Sequence, residues 1–188
     1  MSTLVTSKDQ IKLAPSLAQL SSYTEVCVWA TSSDLSGGAY FGTWKPARLR
    51  HIDADGRNRL LATLPDDVGV TSIVVNHDGT VFFATLPLGH IYKWTSDDGV
   101  ALVSKISQPY PWALALRKNG NLLVGAGPTA TLFEIADGQV NTLFSNTERH
   151  IMAVTVNSDG AAFFGTNPRG KVYRLGLDNS ISPVFQTP

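Results

Sequence analysis

The chain has 188 residues, of which 43% are hydrophobic and 16% charged, values typical of a globular domain with a core. Lys and Arg number 15 and so do Asp and Glu, so the net charge is zero; a nucleic-acid-binding protein would need clustered positive charge. No apolar run is long enough to span a membrane, and the N-terminus does not resemble a secretory signal. The single cysteine, Cys27, excludes an internal disulfide and a multi-cysteine zinc site.

The first predicted element lies in residues 1–24, which we interpret as an extension with one outer strand at residues 10–20. Four predicted strands, A to D, follow it. They cover residues 26–30, 39–43, 48–52 and 59–64. Strand A is almost wholly apolar, which predicts burial on both faces, whereas strand C alternates apolar and polar residues as a half-buried strand does. Strand D is the least regular, so polarity rises from strand A to strand D.

The same series of four strands recurs three more times along the chain. An Asp-Gly or Asn-Gly pair follows strand A at Asp78-Gly79, Asn119-Gly120 and Asp159-Gly160, with Gly37-Gly38 as a degenerate first copy. A proline follows each strand B, and the successive prolines are 41, 41 and 40 residues apart. We expect type I′ hairpin turns between strands A and B and between strands C and D, because Asp-Gly and Asn-Gly suit their positive φ. The proline ends strand B because it lacks a backbone donor.

A repeated four-stranded antiparallel unit of about 40 residues predicts an all-β protein, a β-propeller with about four blades. Strand A of each blade is expected to be completely buried near the axis, with strand D near solvent. The predicted blades of this one domain cover residues 25–67, 68–108, 109–147 and 148–188.

One stretch, VNSDGAAFFGTNPRGKVYRL at residues 156–175, shows the repeat most fully. It has an apolar strand, Asp-Gly, an apolar strand ending in Gly-Thr, a Pro/Gly loop and then Lys-Val-Tyr-Arg. This pattern resembles the bacterial seven- or eight-bladed propellers of the two-component-regulator, NHL-like and gluconolactonase-like group. The resemblance covers about residues 25–188 and concerns the fold; the Trp-Asp dipeptide of WD-repeat proteins is missing.

Four units leave three arrangements open: a closed four-bladed ring, two chains that form an eight-bladed ring, or part of a larger ring. An open four-blade arc would expose two flat apolar faces, which are interaction or aggregation sites. The repeat register runs off both ends of the chain, which favours the second or third arrangement. We therefore expect a homo-oligomer or part of a larger propeller.

Motifs that could carry chemistry have simpler interpretations. The stretch DADG at residues 53–56 begins like a calcium loop but lacks a closing carboxylate, so we interpret it as a turn. The four histidines show no metal-ligand spacing, and we expect His51 and His77 to be solvated. His90 begins a predicted strand, and Cys27 is expected to be an inert core residue. No catalytic residue, metal site or cofactor is predicted.

The resemblance also implies an enzymatic alternative. Gluconolactonase-like enzymes hold a divalent metal with Glu, Asn and Asp from different blades; Glu25 precedes a strand A, but no matching Asn and Asp pair accompanies it. Antibiotic-inactivating propeller lyases use a Trp-Phe-Thr-Glu element after the Asp-Gly turn, where this chain has FFAT or FFGT without the Glu. A metal-dependent lactonase or hydrolase is thus the alternative function, and a structural array of several chains is a second alternative.

Our main functional prediction is a non-enzymatic binding or sensor module. In a propeller the D–A and B–C connections emerge on one face, and binding residues concentrate on such loops. Tyr, Trp and Arg are common interface anchors. The candidate residues for a protein or small-ligand partner are Trp44, Lys45, Tyr110, Trp112, Arg149, His150 and Arg169. Trp112 could instead pack between blades, which we weigh equally; nucleic acid and membrane are not expected partners.

Overall fold

The computed structural model describes residues 3–5, 11–13 and 27–187, and every element in them is a β-strand. Two short strands, β1 (Thr3–Val5) and β2 (Ile11–Leu13), pair antiparallel. The predicted outer strand at residues 10–20 lies mostly outside the described residues. Among those residues no helix has the length and apolar character needed to cross a membrane.

Sixteen strands follow as four antiparallel meanders, which confirms the predicted all-β propeller blades. The first blade contains β3 (Cys27–Ser33), β4 (Ala39–Trp44), β5 (Ala47–Ile52) and β6 (Asn58–Leu64). The second contains β7 (Gly69–Val75), β8 (Val81–Leu86), β9 (His90–Thr95) and β10 (Gly99–Lys105). The third contains β11 (Tyr110–Leu116), β12 (Leu122–Gly127), β13 (Thr131–Ala136) and β14 (Gln139–Ser145). The fourth contains β15 (His150–Val156), β16 (Ala162–Asn167), β17 (Lys171–Leu175) and β18 (Ile181–Gln186).

Most hairpin turns differ from the predicted type I′. In the turn after β7, Gly79 has a φ of 86°, while Asp78 stays outside the left-handed region. The backbone N–H of Gly79 bonds to the carbonyl of Asn76, which is the pattern of a type I turn closed by a left-handed glycine. The loop is one residue longer than a type I′ loop, so only glycine needs positive φ. A type I′ turn does occur at Asp137 and Gly138, whose φ values are 49° and 77°.

Apolar side chains from adjacent blades form three successive clusters. Leu49 of the first blade packs with Val70 and Phe83 of the second, and Leu132 of the third packs with Ile151 of the fourth. Burial of each such side chain contributes about 1.5–3 kcal/mol. The stacking of one blade on the next is therefore the main source of the fold's stability, as in other repeat arrays.

Complete burial of strand A was a wrong prediction for the two end blades. Strand β7 is mostly buried, but β3 exposes Cys27, Val28 and Trp29, so Cys27 is not a core residue. In the fourth blade Met152 of β15 is also exposed. The reason is that a blade face is buried only where another blade covers it, and each end blade has a neighbour on one side.

The blades form an open arc rather than a closed four-bladed ring. Strands β3, β7, β11 and β15 contact one another in chain order, and every substantial contact between blades joins neighbours along the described chain. Within residues 27–187, one face of the first blade and one face of the fourth are consequently left without a covering blade, and exposed apolar side chains lie there.

Candidate functional site

The D–A and B–C connections of the blades lie at the same end of the molecule, which we call the loop end. The backbone N–H of Lys45 bonds to the carbonyl of Val68, and that of Val68 bonds to the carbonyl of Leu86, both at 2.8 Å. In the fourth blade the N–H of Arg149 bonds to the carbonyl of Asn167, also at 2.8 Å. These bonds join two of the D–A connections to the end of a strand B. The loop end is therefore a hydrogen-bonded surface on a rigid scaffold.

A β-bulge in strand A of every blade sets the direction of one side chain near this end. In the third blade the pairing with β12 shifts between Pro111 and Ala113, which leaves Trp112 as the extra residue. The same shift occurs in the other three blades. The equivalent residues at the bulge are Trp29, Thr71 and Met152. Bulges re-aim side chains and are common beside functional sites.

Three of the candidate residues meet at the boundary between the third and fourth blades. The indole Nε1–H of Trp112 donates to His150 Nδ1 at 3.0 Å, and the two rings lie 5.8 Å apart at 81°. Tyr110 stacks on Trp112 with ring centroids 5.7 Å apart. All three side chains are half-buried. We call Tyr110, Trp112 and His150 the aromatic cluster.

The hydrogen bond fixes the protonation state of His150. An indole N–H can only donate, so the imidazole accepts at Nδ1 and carries its proton on Nε2. Burial, followed by the positive charge of Arg149, lowers the pKa of His150 below its usual value of 6.5. Gly127 lies directly against the ring, and a Cβ added there would overlap Nδ1. The imidazole is thus held neutral and in one orientation.

The exposed cations at the loop end do not all surround this cluster. Arg149 is adjacent to it in sequence, and Arg169 is exposed and bonds through its backbone N–H to Glu148 Oε2 at 3.3 Å.

Trp44 lies elsewhere, at the boundary of the first two blades, where it contacts Trp29 with ring centroids 5.3 Å apart and covers Gly69. The exposed Lys45 follows it in sequence. The predicted residues therefore form two groups rather than one.

Sequence reasoning missed a buried polar group that involves Asp67, His90 and Tyr92. Asp67 Oδ2 lies 3.2 Å from His90 Nδ1 and accepts the hydroxyl hydrogen bond of Tyr92 at 3.1 Å. Burial and the Asp67 charge raise the pKa of Tyr92. The Asp67 side chain is fully buried, so the group fixes the D–A connection from within the fold. The available signal was that Asp67 and His90 both lie next to loop-end connections.

The predicted solvation of His51 was wrong. His51 is buried and its Nε2 lies 2.7 Å from Asp34 Oδ2, at the end opposite the loop end. The third blade has Arg117 and Glu134 at the same two positions, joined at 2.8 Å. The pairing buries these two strand-C residues, whereas Lys93 and Arg174 at the same position in the other two blades are exposed. His77 is exposed, as predicted.

The DADG stretch acts as a turn. Asp53 Oδ1 accepts the backbone N–H groups of Asp55 at 3.1 Å and Arg57 at 2.8 Å, which closes the loop on itself. In the described part of the chain no three His, Cys, Asp or Glu side chains group in a way that could hold a metal ion.

A groove runs along the strands A towards the end opposite the loop end. It has a volume of about 640 Å³ and is lined by residues of β7, β11, β15 and their turns, including Leu116, Lys118 and Val156. It marks the position of the propeller axis.

The sequence matches no protein-family model, and no curated protein matches it. Among solved structures the chain is similar to virginiamycin B lyase from Staphylococcus aureus, with a TM-score of 0.75 and 18% identity over 86% of this chain and 56% of that one. It is similar to a chain of a nidogen/laminin complex, with a TM-score of 0.68 and 14% identity over 79% of this chain and 60% of that one. It is also similar to the calcium-binding protein regucalcin from Agrobacterium tumefaciens, with a TM-score of 0.65 and 16% identity over 87% of this chain and 61% of that one.

The chain therefore spans between 56% and 61% of the length of these structures. Their names cover an enzyme, a complex between proteins and a calcium-binding protein, so the shared feature is the architecture. The likeness is to the β-propeller group that includes NHL-like and gluconolactonase-like folds, and this chain has the fold of four β-propeller blades.

Proposed function

We propose that this chain is a non-enzymatic binding module that presents its loop end to a protein or ligand partner. The supporting observation is the aromatic cluster, in which a bulged Trp112 and a neutral His150 from the next blade are held together at the loop end. Half-buried aromatic rings on a rigid support lose little conformational freedom on binding. Such side chains are the usual energetic centres of interfaces.

The chemistry of the cluster indicates the type of partner. The rings of Tyr110 and Trp112 offer apolar and π surface, and His150 keeps an Nε2–H donor because its Nδ1 is already bonded to Trp112. The neighbouring Arg149 is exposed and positively charged. A partner segment that combines an aromatic or aliphatic side chain with a carboxylate fits this surface best.

A displayed peptide library, selected on the immobilised 188-residue chain, tests this function. We expect enriched peptides with an acidic residue beside an apolar one, and a loss of affinity of about thirtyfold in Trp112→Ala, which is a hot-spot loss of about 2 kcal/mol. Lys118→Ala is the matched control, because Lys118 is exposed near the opposite end. Peptides that bind Trp112→Ala and the parent chain equally, or no enrichment at all, would contradict the proposal.

The metal-dependent enzyme remains the alternative because the similar structures include a lyase and a calcium-binding protein. The described residues offer no fitting ligand group, so we derive no metal-dependent step. Elemental analysis of the purified chain separates the two functions. A stoichiometric, tightly held Ca²⁺ or Zn²⁺ would favour the enzyme over the binding module.

A further inference from the structure

Neighbouring blades interlock at one small residue of strand B. A Cβ added at Gly42 would lie 2.5 Å from Val70 of the second blade, and one added at Gly125 would lie 2.6 Å from Ile151 of the fourth. Val70 and Ile151 are fully buried at these points. Each of these blades therefore offers a socket, the small residue, to a strand-A side chain of the next blade.

In each end blade, one half of this contact is present without its partner. Val28 occupies the position of Val70 and Ile151 in the repeat, yet it is 51% exposed. Gly165 occupies the position of Gly42, yet a Cβ added there would meet no atom of the described residues within 4 Å. The first blade thus has a side chain without a socket, and the fourth blade has a socket without a side chain.

A second pair of positions shows the same complementarity. At the boundary of the third and fourth blades, Phe144 of strand D packs against Phe164 with ring centroids 5.0 Å apart. The equivalent of Phe144 in the fourth blade is Phe185, which is 57% exposed. The equivalent of Phe164 in the first blade is Phe41, which is only half-buried, whereas Phe164 is 1% exposed.

We propose that the open face of the fourth blade binds the open face of the first blade in a second copy of this chain. Val28 of one copy then fills the space beside Gly165 of the other, and Phe185 covers Phe41. Both contacts repeat the geometry already present between neighbouring blades, so the interface continues the existing stack. This inference is independent of the proposed binding function.

Two copies related by a two-fold axis satisfy all four open faces. A head-to-tail contact produces a closed ring when the rotations add to a full turn, and here the ring would contain eight blades. The chain spans 56% of the length of the similar lyase, so four blades account for only part of such a propeller. Within one chain the first and fourth blades make no substantial contact among the described residues, so the arc does not close on itself.

Mass measurement by light scattering on the 188-residue chain is the first test. We expect twice the monomer mass of 20.2 kDa. Gly165→Val should lower the mass to that of a monomer, since the new side chain has free space in the isolated chain but fills the socket. Asn141→Arg, on the exposed outer strand β14, is the matched control and should leave the dimer intact. A parent chain that is monomeric, or larger than two copies, would overturn the proposal.

Directed cross-linking tests the register of the contact. Trp44 and Gly69 are direct partners across the boundary of the first two blades, and their equivalents at the open faces are Asn167 and Cys27. Direct partners on paired strands have Cα separations that suit a disulfide. Asn167→Cys should therefore form a covalent dimer with the native Cys27 under mild oxidation.

Two variants make the cross-linking result decisive. Asn141→Cys, which lies away from the open faces on β14, should remain monomeric on a non-reducing gel, and Cys27→Ser should abolish cross-linking in the Asn167→Cys chain. An oxidised Asn167→Cys chain that runs as a monomer without free thiols would show closure within one chain. One that keeps its thiols would show that the faces do not meet. Either result would reject the second copy as the partner.

Discussion

Trp112 and His150 are 38 residues apart in the chain, and their hydrogen bond joins two blades. The bond depends on two local features: the bulge that leaves Trp112 outside the regular pairing, and the absence of a side chain at Gly127 beneath the imidazole. The bulge re-aims Trp112, and the missing side chain at Gly127 leaves room for the imidazole. The candidate site is therefore a product of backbone irregularity as much as of residue type.

At the scale of single residues, we predict how His150 titrates. Its folded-state pKa is below 6.5, so the folded state favours the neutral imidazole, and stability should fall as the pH drops below about 6.5. NMR titration of the ring protons, assigned with His150→Gln, should give a midpoint below 6.5. Trp112→Phe removes a donor that favours the neutral ring, and Arg149→Gln removes a nearby positive charge, so each should raise the midpoint. A parent midpoint at or above 6.5 would contradict the described environment.

At the scale of elements, the burial of a strand depends on the blades that lie beside it. All six residues of β12 are buried, because neighbouring blades cover both of its faces. Strand β3, by contrast, begins with the apolar residues Cys27, Val28 and Trp29, and all three are exposed. Apolar composition therefore sets which strands can be buried, and the number of neighbouring blades sets which strands are buried.

The two equivalent glycines Gly125 and Gly165 offer a matched comparison. Gly125→Ala should destabilise the fold by about 1–3 kcal/mol, because the new Cβ would lie 2.6 Å from Ile151 and 3.1 Å from its carbonyl. Gly165→Ala should be neutral or stabilising by about 0.5–1 kcal/mol, since nothing lies within 4 Å and glycine weakens strand interiors. Urea unfolding of both, in a chain that also carries Val28→Asp to prevent association, measures the difference. Equal losses at the two sites would show that the sockets are not distinct.

At the scale of the whole molecule, the open arc couples the association of the chain to its stability. The exposed faces of the end blades carry Val28, Met152 and Phe185, each at least half exposed. Covering them removes apolar surface from water at roughly 25 cal/mol per Å². An assembly that binds the folded chain and not the unfolded chain raises its apparent stability.

Thermal unfolding should therefore depend on protein concentration. We expect the midpoint of the parent chain to rise as its concentration increases, because the folded dimer is favoured by mass action. The midpoint of Gly165→Val should not change over the same range, since that side chain blocks the contact without touching the rest of the monomer. Calorimetry at several concentrations measures both, and a parent midpoint that stays constant would argue against association.

The sequence by itself determined the number of blades, the order of strands and the positions of most strand ends. These features are encoded locally, by alternation at period two, by the glycines near each turn and by the proline after each strand B. Turn type was predicted less well, because Asp-Gly fits both a type I′ turn and the longer loop around Gly79, and flanking residues decide between them.

Only the tertiary structure decided which side chains meet across blades. The buried pair of His51 and Asp34, the group around Asp67 and the bond between Trp112 and His150 all join residues that are distant in sequence. The exposure of Cys27 and Val28 is likewise absent from the local pattern, because their strand reads like the buried strands of the inner blades. Burial is a property of the neighbours of a strand, and a repeat sequence specifies the blade without specifying how many blades surround it.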